Sequence, residues 1–442
     1  MSYWKLHQYP LLFVLGSLLL YADFAHNLDR TDFLKFLALF SALFFLCFKL
    51  IRFEKWNFRF LLIAGILFRL VFLSTAPNLS QDYFRFIWDG EVILAGINPY
   101  LFAPDTLMEQ GSLALANMET LHTHMGSLSA RHFSNYPPLN QILFAVAAFF
   151  GGKSIWGSIM VMRGFMLLSD LGVYYFGRKL LKEMNLSPYL IFWYFLNPLV
   201  IIELTGNLHF EGVMLFFFVW AIYLLAIKKW QWAAVILACS ISVKLVPLLF
   251  LPLFIKHLGL RKSILFYVLI GATCLLLFAP FYTSEFIQNY SKTIGLWFSN
   301  FEFNAGLYNV IKKLAVQFDA KPWELIKTYG KITPYITILI VLLFTFFRRN
   351  QKLPILLSSM FWILTLYYFM SATVHPWYII FLIVLGIYTQ FRFPLLWSAT
   401  IVLSYFAYSQ SDFKENLCLL TIEYLSVYAF MIYEIIAHRN KT

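Results

Sequence analysis

Apolar segments recur along nearly the whole chain, and they constrain its fold more than any other feature. Most have the roughly 17–25 residues that a tilted helix needs to cross a bilayer. Lipid offers no hydrogen-bond partners, so such segments satisfy their backbone polar groups as helices. The fourteen segments cover residues 10–22, 33–50, 60–76, 138–150, 155–177, 187–204, 210–227, 231–255, 263–280, 332–347, 354–372, 375–391, 394–410 and 417–437. We therefore predict an all-α polytopic membrane protein.

The composition excludes other classes. The 442 residues are 61% hydrophobic and 13% charged, which lies outside the range of soluble globular domains. A net charge of +12 would suit a nucleic-acid partner, but the basic residues stand in short clusters between apolar segments, as in cytoplasmic loops of membrane proteins. We therefore predict membrane lipids, and no nucleic acid, as partners. The four cysteines lie in apolar segments without paired spacing, which is typical of small buried hydrophobic residues.

The basic clusters also indicate the orientation of the chain. They follow the second segment, precede the ninth, follow the tenth and close the sequence. The positive-inside rule places all four clusters in the cytoplasm, together with both termini. The two long loops, residues 77–137 and 281–331, are then the first and second external loops of a single integral domain over residues 1–442.

Two segments leave the number of spans open. Residues 138–150 are short for a span, and residues 231–255 are interrupted by Lys244 and a proline. If both segments cross the bilayer, basic residues near 178–182 and 228–229 lie outside. If both are re-entrant, these residues return to the cytoplasm. We therefore predict about twelve spanning helices, two re-entrant segments and a helical first external loop.

The most polar stretch of the chain lies in the first external loop, at residues 80–100. Asp82, Arg85 and Asp89 stand at i, i+3 and i+7, so a helix places them on one face. Ser80 is a candidate N-cap for this helix, and residues 96–100 are a helix stop. Two carboxylates and a cation at a membrane surface suit chemistry on a lipid-linked substrate. The alternative is structural: a carboxylate that stabilises the first helical turn, and a surface ion pair.

Ionisable residues at membrane depth form a second set of candidates, because they are costly in lipid and usually face a cavity. They are Asp170, Glu203, His209, Glu211, Lys244 and His375. His375, beside Trp377 and Tyr378, also suits an aromatic belt, and Asp170 and Glu203 also suit structural pairing with Arg163 or other neighbours. The histidines of the first loop, His122 and His124 among them, lack a third ligand, so we predict no metal site.

Several stretches taken together resemble a known family. They are Asp82-x-x-Arg85-x-x-Trp88-Asp89-Gly90, Gly96-x-Asn98-Pro99-Tyr100, Tyr136-Pro137-Pro138-Leu139, Leu196-Asn197-Pro198, the run 206–211, Lys244-x-x-Pro247 and His375-Pro376-Trp377-Tyr378. In this order, over residues 60–390, they resemble GT-C superfamily glycosyltransferases, in particular the bacterial multi-spanning mannosyltransferases of glycosyltransferase family 87 that use polyprenyl-phosphate-mannose. The sequence departs from the family pattern at one point. The family often has an Asn or Asp shortly after the histidine of this run, whereas here the acidic residue after His209 is Glu211.

The resemblance implies a GT-C-like helical bundle in the bacterial cytoplasmic (inner) membrane. It also implies an inverting transfer of a hexose, which in the family is mannose, from a polyprenyl-phosphate carrier to a hydroxyl of a lipid or glycan acceptor on the outer face. Asp82 matches the general base of the family. No cofactor is implied beyond the lipid-linked donor. The implied substrate-binding residues are Arg85, Asp89, Tyr100, Tyr136, His209, Glu211, Lys244, His375, Trp377 and Tyr378.

Two other classes of membrane protein compete with this interpretation. A transporter or flippase of a lipid-linked sugar would also show broken helices and charges at membrane depth. We find no inverted repeat, however, and a transporter does not need a long acid-bearing loop on one side. A polysaccharide polymerase or ligase would more typically have external loops rich in arginine and histidine.

Overall fold

The computed structural model describes residues 7–111, 115–299 and 301–439. Their α-helices are α1 Gln8–Asn27, α2 Phe33–Glu54, α3 Phe58–Leu70, α4 Asp82–Leu94, α5 Pro104–Gln110, α6 Met118–His124, α7 Ser127–Ala130, α8 Pro138–Gly151, α9 Ile155–Glu183, α10 Phe192–Phe195, α11 Pro198–Val200, α12 Glu211–Ala226, α13 Trp230–Val243, α14 Phe254–Leu258, α15 Leu260–Phe278, α16 Ser284–Ser299, α17 Gly306–Val316, α18 Pro322–Phe347, α19 Leu353–Met370, α20 Ile379–Thr389, α21 Phe393–Thr400 and α22 Leu417–Arg439.

Tighter and wider helical turns extend or connect these helices. The 3₁₀ turns are Val71–Ser74, Pro188–Ile191, Val246–Leu253, Ala279–Phe281, Pro376–Tyr378 and Ile401–Ser409, and Ile201–Gly206 is a π-helix. Over the described ranges, β-pairing is limited to an isolated bridge between Phe303 and Thr373. The all-α class is therefore confirmed.

Seven of the described helices are long and apolar enough to cross a membrane, which makes this an integral membrane protein. They are Gln8–Asn27, Phe33–Glu54, Ile155–Glu183, Leu260–Phe281, Pro322–Phe347, Leu353–Met370 and Leu417–His438. The pair Pro188–Phe195 and Pro198–Gly206, bent by 52°, raises the number to eight if it counts as one span. The predicted number of twelve spans stays a prediction.

The remaining apolar segments form shorter helices, and their breaks have local causes. Asn197 ends one helix of the bent pair and caps the next, because its Oδ1 accepts the Leu199 N–H at 2.9 Å. Helix α13 ends at Val243, Lys244 is extended, and a 3₁₀ turn that contains Pro247 follows. Residues 138–150 fall on α8, which has 14 residues. The sequence located the break at Lys244 and its proline, but it did not locate the break at Asn197.

Contacts divide the chain into two compact units. The first comprises residues 1–79, 170–209 and 374–442. Its interior contains an ion pair in which Arg69 Nε donates to Asp170 Oδ2 at 2.7 Å, and both side chains are fully buried. The Tyr194 hydroxyl donates to the other Asp170 oxygen at 2.6 Å. These contacts compensate the cost of burying two charges in an apolar interior.

The second unit comprises residues 80–169 and 210–373. Here α4 packs tightly against α8 because the contact residue on α4 is glycine. A Cβ atom at Gly90 would lie 2.3 Å from the Phe144 carbonyl oxygen. The rings of Phe86 and Phe144 stack beside this point, with centroids 4.6 Å apart. This packing holds the polar residues of α4 in fixed positions.

Candidate active site

Helix α4 begins and ends close to the predicted positions. Its N-cap residue is Gln81, not the predicted Ser80, although the Ser80 hydroxyl accepts the Asp82 N–H at 3.2 Å. The helix ends at Leu94, and Gly96 has a φ of +78°, which favours glycine. Asp82 is therefore the first helical residue, where the helix dipole favours a negative charge.

The two carboxylates of α4 lie in different environments. Asp89 is buried, accepting from Arg85 Nε at 2.7 Å and from Gln141 Nε2 at 2.9 Å. Asp82 is half-buried, and no side chain in the described part of the chain donates a hydrogen bond to its carboxylate. Of the two, Asp82 is therefore the one available to accept a proton from a substrate.

Arg85 is part of a buried network. Besides Asp89, its guanidinium donates to the carbonyl oxygens of Ser129 and His132. The Arg85–Asp89 pair is thus buried, and the alternative of a surface ion pair is wrong. These contacts hold the loop around residues 129–132 against α4. The network also includes Gln141, which sequence analysis did not select, and Gln141 Nε2 donates to the Ser134 hydroxyl at 2.5 Å.

Tyr136 lies among the charged groups of the second unit. It is half-buried, and its ring contacts Phe86 and Phe144 edge-on. Burial raises the pKa of the Tyr136 phenol well above its ordinary value. Nearby carboxylates, Asp82 first among them, raise that pKa further, while Arg85 lowers it. The carboxylates of Asp89 and Glu211 act in the same direction as Asp82. The phenol therefore remains protonated and available as a donor.

Tyr100 anchors this region instead of exposing its ring. It is fully buried, and its hydroxyl donates to the Tyr136 carbonyl oxygen at 2.6 Å. Its ring packs against Phe281, Phe286 and Tyr290. In this conformation Tyr100 positions Tyr136 and offers no free face to a sugar.

Lys244 and Glu211 form an ion pair in the same unit, with 2.8 Å between Nζ and Oε1. Glu211 is buried at the first residue of α12, and its Oε2 has no hydrogen-bond partner among the described residues. The Lys244 side chain is 25% exposed. The extended backbone at Lys244 thus brings its ammonium group to a partly open position, where an anion is able to reach it.

The other predicted site residues belong to the first unit. His209 stacks on Trp377, with ring centroids 3.6 Å apart, and Trp377 also stacks on His375 at 4.5 Å. His209 Nε2 lies 3.4 Å from a Glu203 oxygen. The other Glu203 oxygen accepts from the Tyr405 hydroxyl at 2.5 Å. An aromatic ring therefore already covers part of the Trp377 indole.

Tyr378, Tyr405 and Asp170 also belong to this unit. Tyr378 is half-buried, and its ring meets the His375 ring edge-on, with centroids 5.3 Å apart. Tyr405, which orients Glu203, was not selected from the sequence, because 202 residues separate the two. Its place in an apolar segment gave no signal of this contact. Asp170 pairs with Arg69, a partner that the sequence analysis did not name.

The histidines of the first loop have ordinary partners. His122 Nε2 lies 2.7 Å from Asp105 Oδ1, and a nitrogen of His124 lies 2.8 Å from the Thr120 carbonyl oxygen. Over the ranges that the structure describes, no group of three or more His, Cys, Asp or Glu side chains is arranged to hold a metal ion.

Comparison with known proteins identifies the family of this chain. The family model described as alpha-(1->6)-mannopyranosyltransferase, N-terminal domain (MptA_B family) matches residues 29–259, slightly more than half of the 442 residues. The match includes α4, Tyr136 and the Lys244–Glu211 pair, whereas His375, Trp377 and Tyr378 lie beyond it. No curated protein matches the chain.

Proposed function

The chain belongs to the alpha-(1->6)-mannopyranosyltransferase family, and from this premise we propose that it transfers mannose from a polyprenyl-phosphate carrier to an acceptor hydroxyl. The family match supports a mannosyltransferase. The carrier, the inverting mechanism, the base and the outward-facing site in a bacterial inner membrane are our proposals. They rest on the carboxylate of Asp82, which accepts no side-chain hydrogen bond from the described residues and lies in the same compact unit as a partly open cation, Lys244.

In the proposed reaction Asp82 accepts the proton of the acceptor hydroxyl as its oxygen attacks C1 of the mannose. The bond between C1 and the phosphate oxygen breaks, and polyprenyl phosphate leaves with the bonding electrons. This displacement needs one carboxylate within about 2.6–3.2 Å of the hydroxyl. A phosphate leaving group needs positive charge more than it needs an acid, and Lys244 supplies that charge.

The linkage in the family description adds a stereochemical requirement. A single displacement inverts the anomeric centre, so an α-linked product requires a β-linked mannosyl phosphate donor. A retaining double displacement, as in retaining glycosidases, instead uses a second carboxylate about 5–5.5 Å from the first as the nucleophile. In the second unit Asp89 is committed to Arg85 and Gln141, and Glu211 is paired with Lys244. This arrangement supports a single base and an inverting transfer.

The test uses purified protein in liposomes, a short-chain polyprenyl-phosphate β-mannose and a membrane glycolipid extract as acceptor. We expect wild-type protein to form α-mannosides and Asp82→Asn to lose about 10²–10⁴-fold in rate. Glu109→Gln is the matched control, because Glu109 is an exposed carboxylate of the same loop, and it should retain wild-type activity.

The possible outcomes separate the parts of the proposal. Full activity in a folded Asp82→Asn variant would support the mannosyltransferase activity and overturn the assignment of Asp82 as its base. A β-linked product would overturn inversion. Movement of the lipid-linked sugar across the bilayer, without transfer to any acceptor, would favour a flippase.

A further inference from the structure

Helix α17, in the second external loop, has two contrasting faces. Tyr308 and Asn309 are buried, and Tyr308 packs with Ala305, Ile326 and Ala372. Its ring also lies against Tyr329 of α18, with centroids 4.9 Å apart. This face fixes α17 to the rest of the second unit.

The opposite face of α17 is apolar and exposed. Leu307, Val310 and Leu314 are 42%, 58% and 54% exposed. At about 100° per residue, Val310 points about 160° away from Tyr308. Phe318, just beyond the helix, is 84% exposed, and Trp323, in the first turn of α18, is 60% exposed. A group of exposed apolar side chains on one helix face indicates an interaction site, because exposing them to water is unfavourable.

The depth of α17 relative to the bilayer can be inferred from the lengths of the neighbouring helices. Helix α18 ends at Phe347, directly before Arg348 and Arg349. About 20 helical residues cross the hydrocarbon, so a span that ends at Phe347 begins near residue 328. Tyr329, which contacts α17, lies at that boundary.

A second helix supports the same level. The Tyr329 hydroxyl donates to the carbonyl oxygen of Met370 at 2.5 Å, and Met370 is the last residue of α19. Helix α19 has 18 residues, which is close to the length of one bilayer crossing. The boundary of the α18 span near residue 328 and the last residue of α19 therefore both lie where α17 is attached. Tyrosines are typical of this interfacial level.

Charge favours lipid over a protein partner for the exposed face. Lys313 is exposed on α17 near the apolar stripe. Lys321, beyond the helix, is exposed and lies 3.5 Å from Glu324, and Lys312 is paired with Glu302 at 2.7 Å. Basic residues beside an apolar stripe are typical of helices that lie in the headgroup region, where lysine meets lipid phosphates.

We propose that α17 is an interfacial helix whose Leu307–Val310–Leu314 face enters the outer leaflet of the membrane at the boundary between headgroups and acyl chains. The loop before α17 is also tied to the end of α19. Phe303 N–H donates to the Ala372 carbonyl oxygen at 3.0 Å, and the Thr373 hydroxyl donates to the Phe301 carbonyl oxygen at 2.9 Å. The lipid contact of α17 thus also anchors residues 372–373, which lie just before His375 in the sequence.

The test is spin labelling of the full chain in phosphatidylcholine–phosphatidylglycerol liposomes, on a Cys418→Ser background, because Cys418 is the exposed native cysteine. Labels at Val310→Cys and Leu314→Cys report the apolar face. Lys313→Cys and Asp319→Cys are matched controls at exposed positions of the same segment. We measure collisions of each label with oxygen, which concentrates in lipid, and with a water-soluble nickel chelate.

We expect the ratio of oxygen to nickel collisions to be at least several-fold higher at residues 310 and 314 than at residues 313 and 319. Equal ratios at all four positions, with frequent nickel collisions, would overturn the proposal because the face would then be in water. Few collisions with either reagent at residues 310 and 314 would also overturn it, since protein would then cover the face.

Discussion

At the scale of single residues, the two aspartates of α4 show how environment assigns different roles to one side-chain type. Asp89 is buried between Arg85 and Gln141, whereas the carboxylate of Asp82 has no such donor among the described residues. Removing one partner of a buried ion pair leaves an uncompensated charge and typically costs about 3–5 kcal/mol. A carboxylate in a first helical turn contributes only about 0.3–1 kcal/mol.

This difference predicts the stability of two isosteric variants. Asp89→Asn should lower the free energy of unfolding by about 3–5 kcal/mol, because Arg85 then remains buried without its counter-charge. Asp82→Asn should change it by less than about 1 kcal/mol, even though it removes the proposed base. Denaturant unfolding in detergent measures both values. An Asp89→Asn variant as stable as the wild type would contradict a structural role for the pair.

Glu91 gives a prediction that depends on pH. Burial raises the pKa of its carboxyl above the ordinary value of 4.5, and Lys153 lowers it only in part. Because ionisation is harder in the folded state, stability falls as the pH rises from 4.5 through the folded pKa. Glu91→Gln should therefore match the wild type at pH 3–4 and exceed its melting temperature at pH 7. Glu109→Gln, at an exposed position, should show no such trend.

At the scale of secondary-structure elements, the contact between α4 and α8 depends on Gly90. A Cβ atom there would lie 2.3 Å from the Phe144 carbonyl oxygen. Gly90→Ala should therefore cost at least about 1–3 kcal/mol of stability through overpacking. Gly164 is a matched control within α9, since a Cβ there would meet nothing within 4 Å. Gly164→Ala should be neutral or stabilise by up to about 1 kcal/mol. Thermal unfolding of both variants tests the contact, and equal stability would contradict it.

The sequence predicted the elements better than it predicted their partners. Every apolar segment falls mainly on helical residues, because twelve or more consecutive apolar residues in a membrane chain have few other solutions. The i, i+3, i+7 spacing correctly placed Asp82 and Arg85 on one helix. The pairing of Arg69 with Asp170, or of Glu203 with Tyr405, joins residues 101 and 202 positions apart. Local pattern contains no information about such long-range contacts.

At the scale of the whole molecule, the number of spans and the sides of the loops remain predictions that labelling can test. On a Cys418→Ser background, a membrane-impermeant maleimide should label Glu109→Cys in intact cells. It should label Gln351→Cys only after the membrane is opened. Lys182→Cys separates the two topologies: labelling only after opening supports twelve spans with two re-entrant segments, whereas labelling of intact cells supports fourteen.

The buried ion pair of Arg69 and Asp170 also affects how the protein is made. Arg69 is synthesised 101 residues before its partner. At about 5–20 residues per second, Arg69 waits about 5–20 s for Asp170 to emerge from the ribosome. If the predicted segment 60–76 crosses the bilayer, an unpaired arginine at its centre costs about 2.5–3.5 kcal/mol during that time. We therefore expect α3 to enter the bilayer stably only after α9 has been made. A chain that stalls before residue 170 therefore keeps an uncompensated cation in this segment.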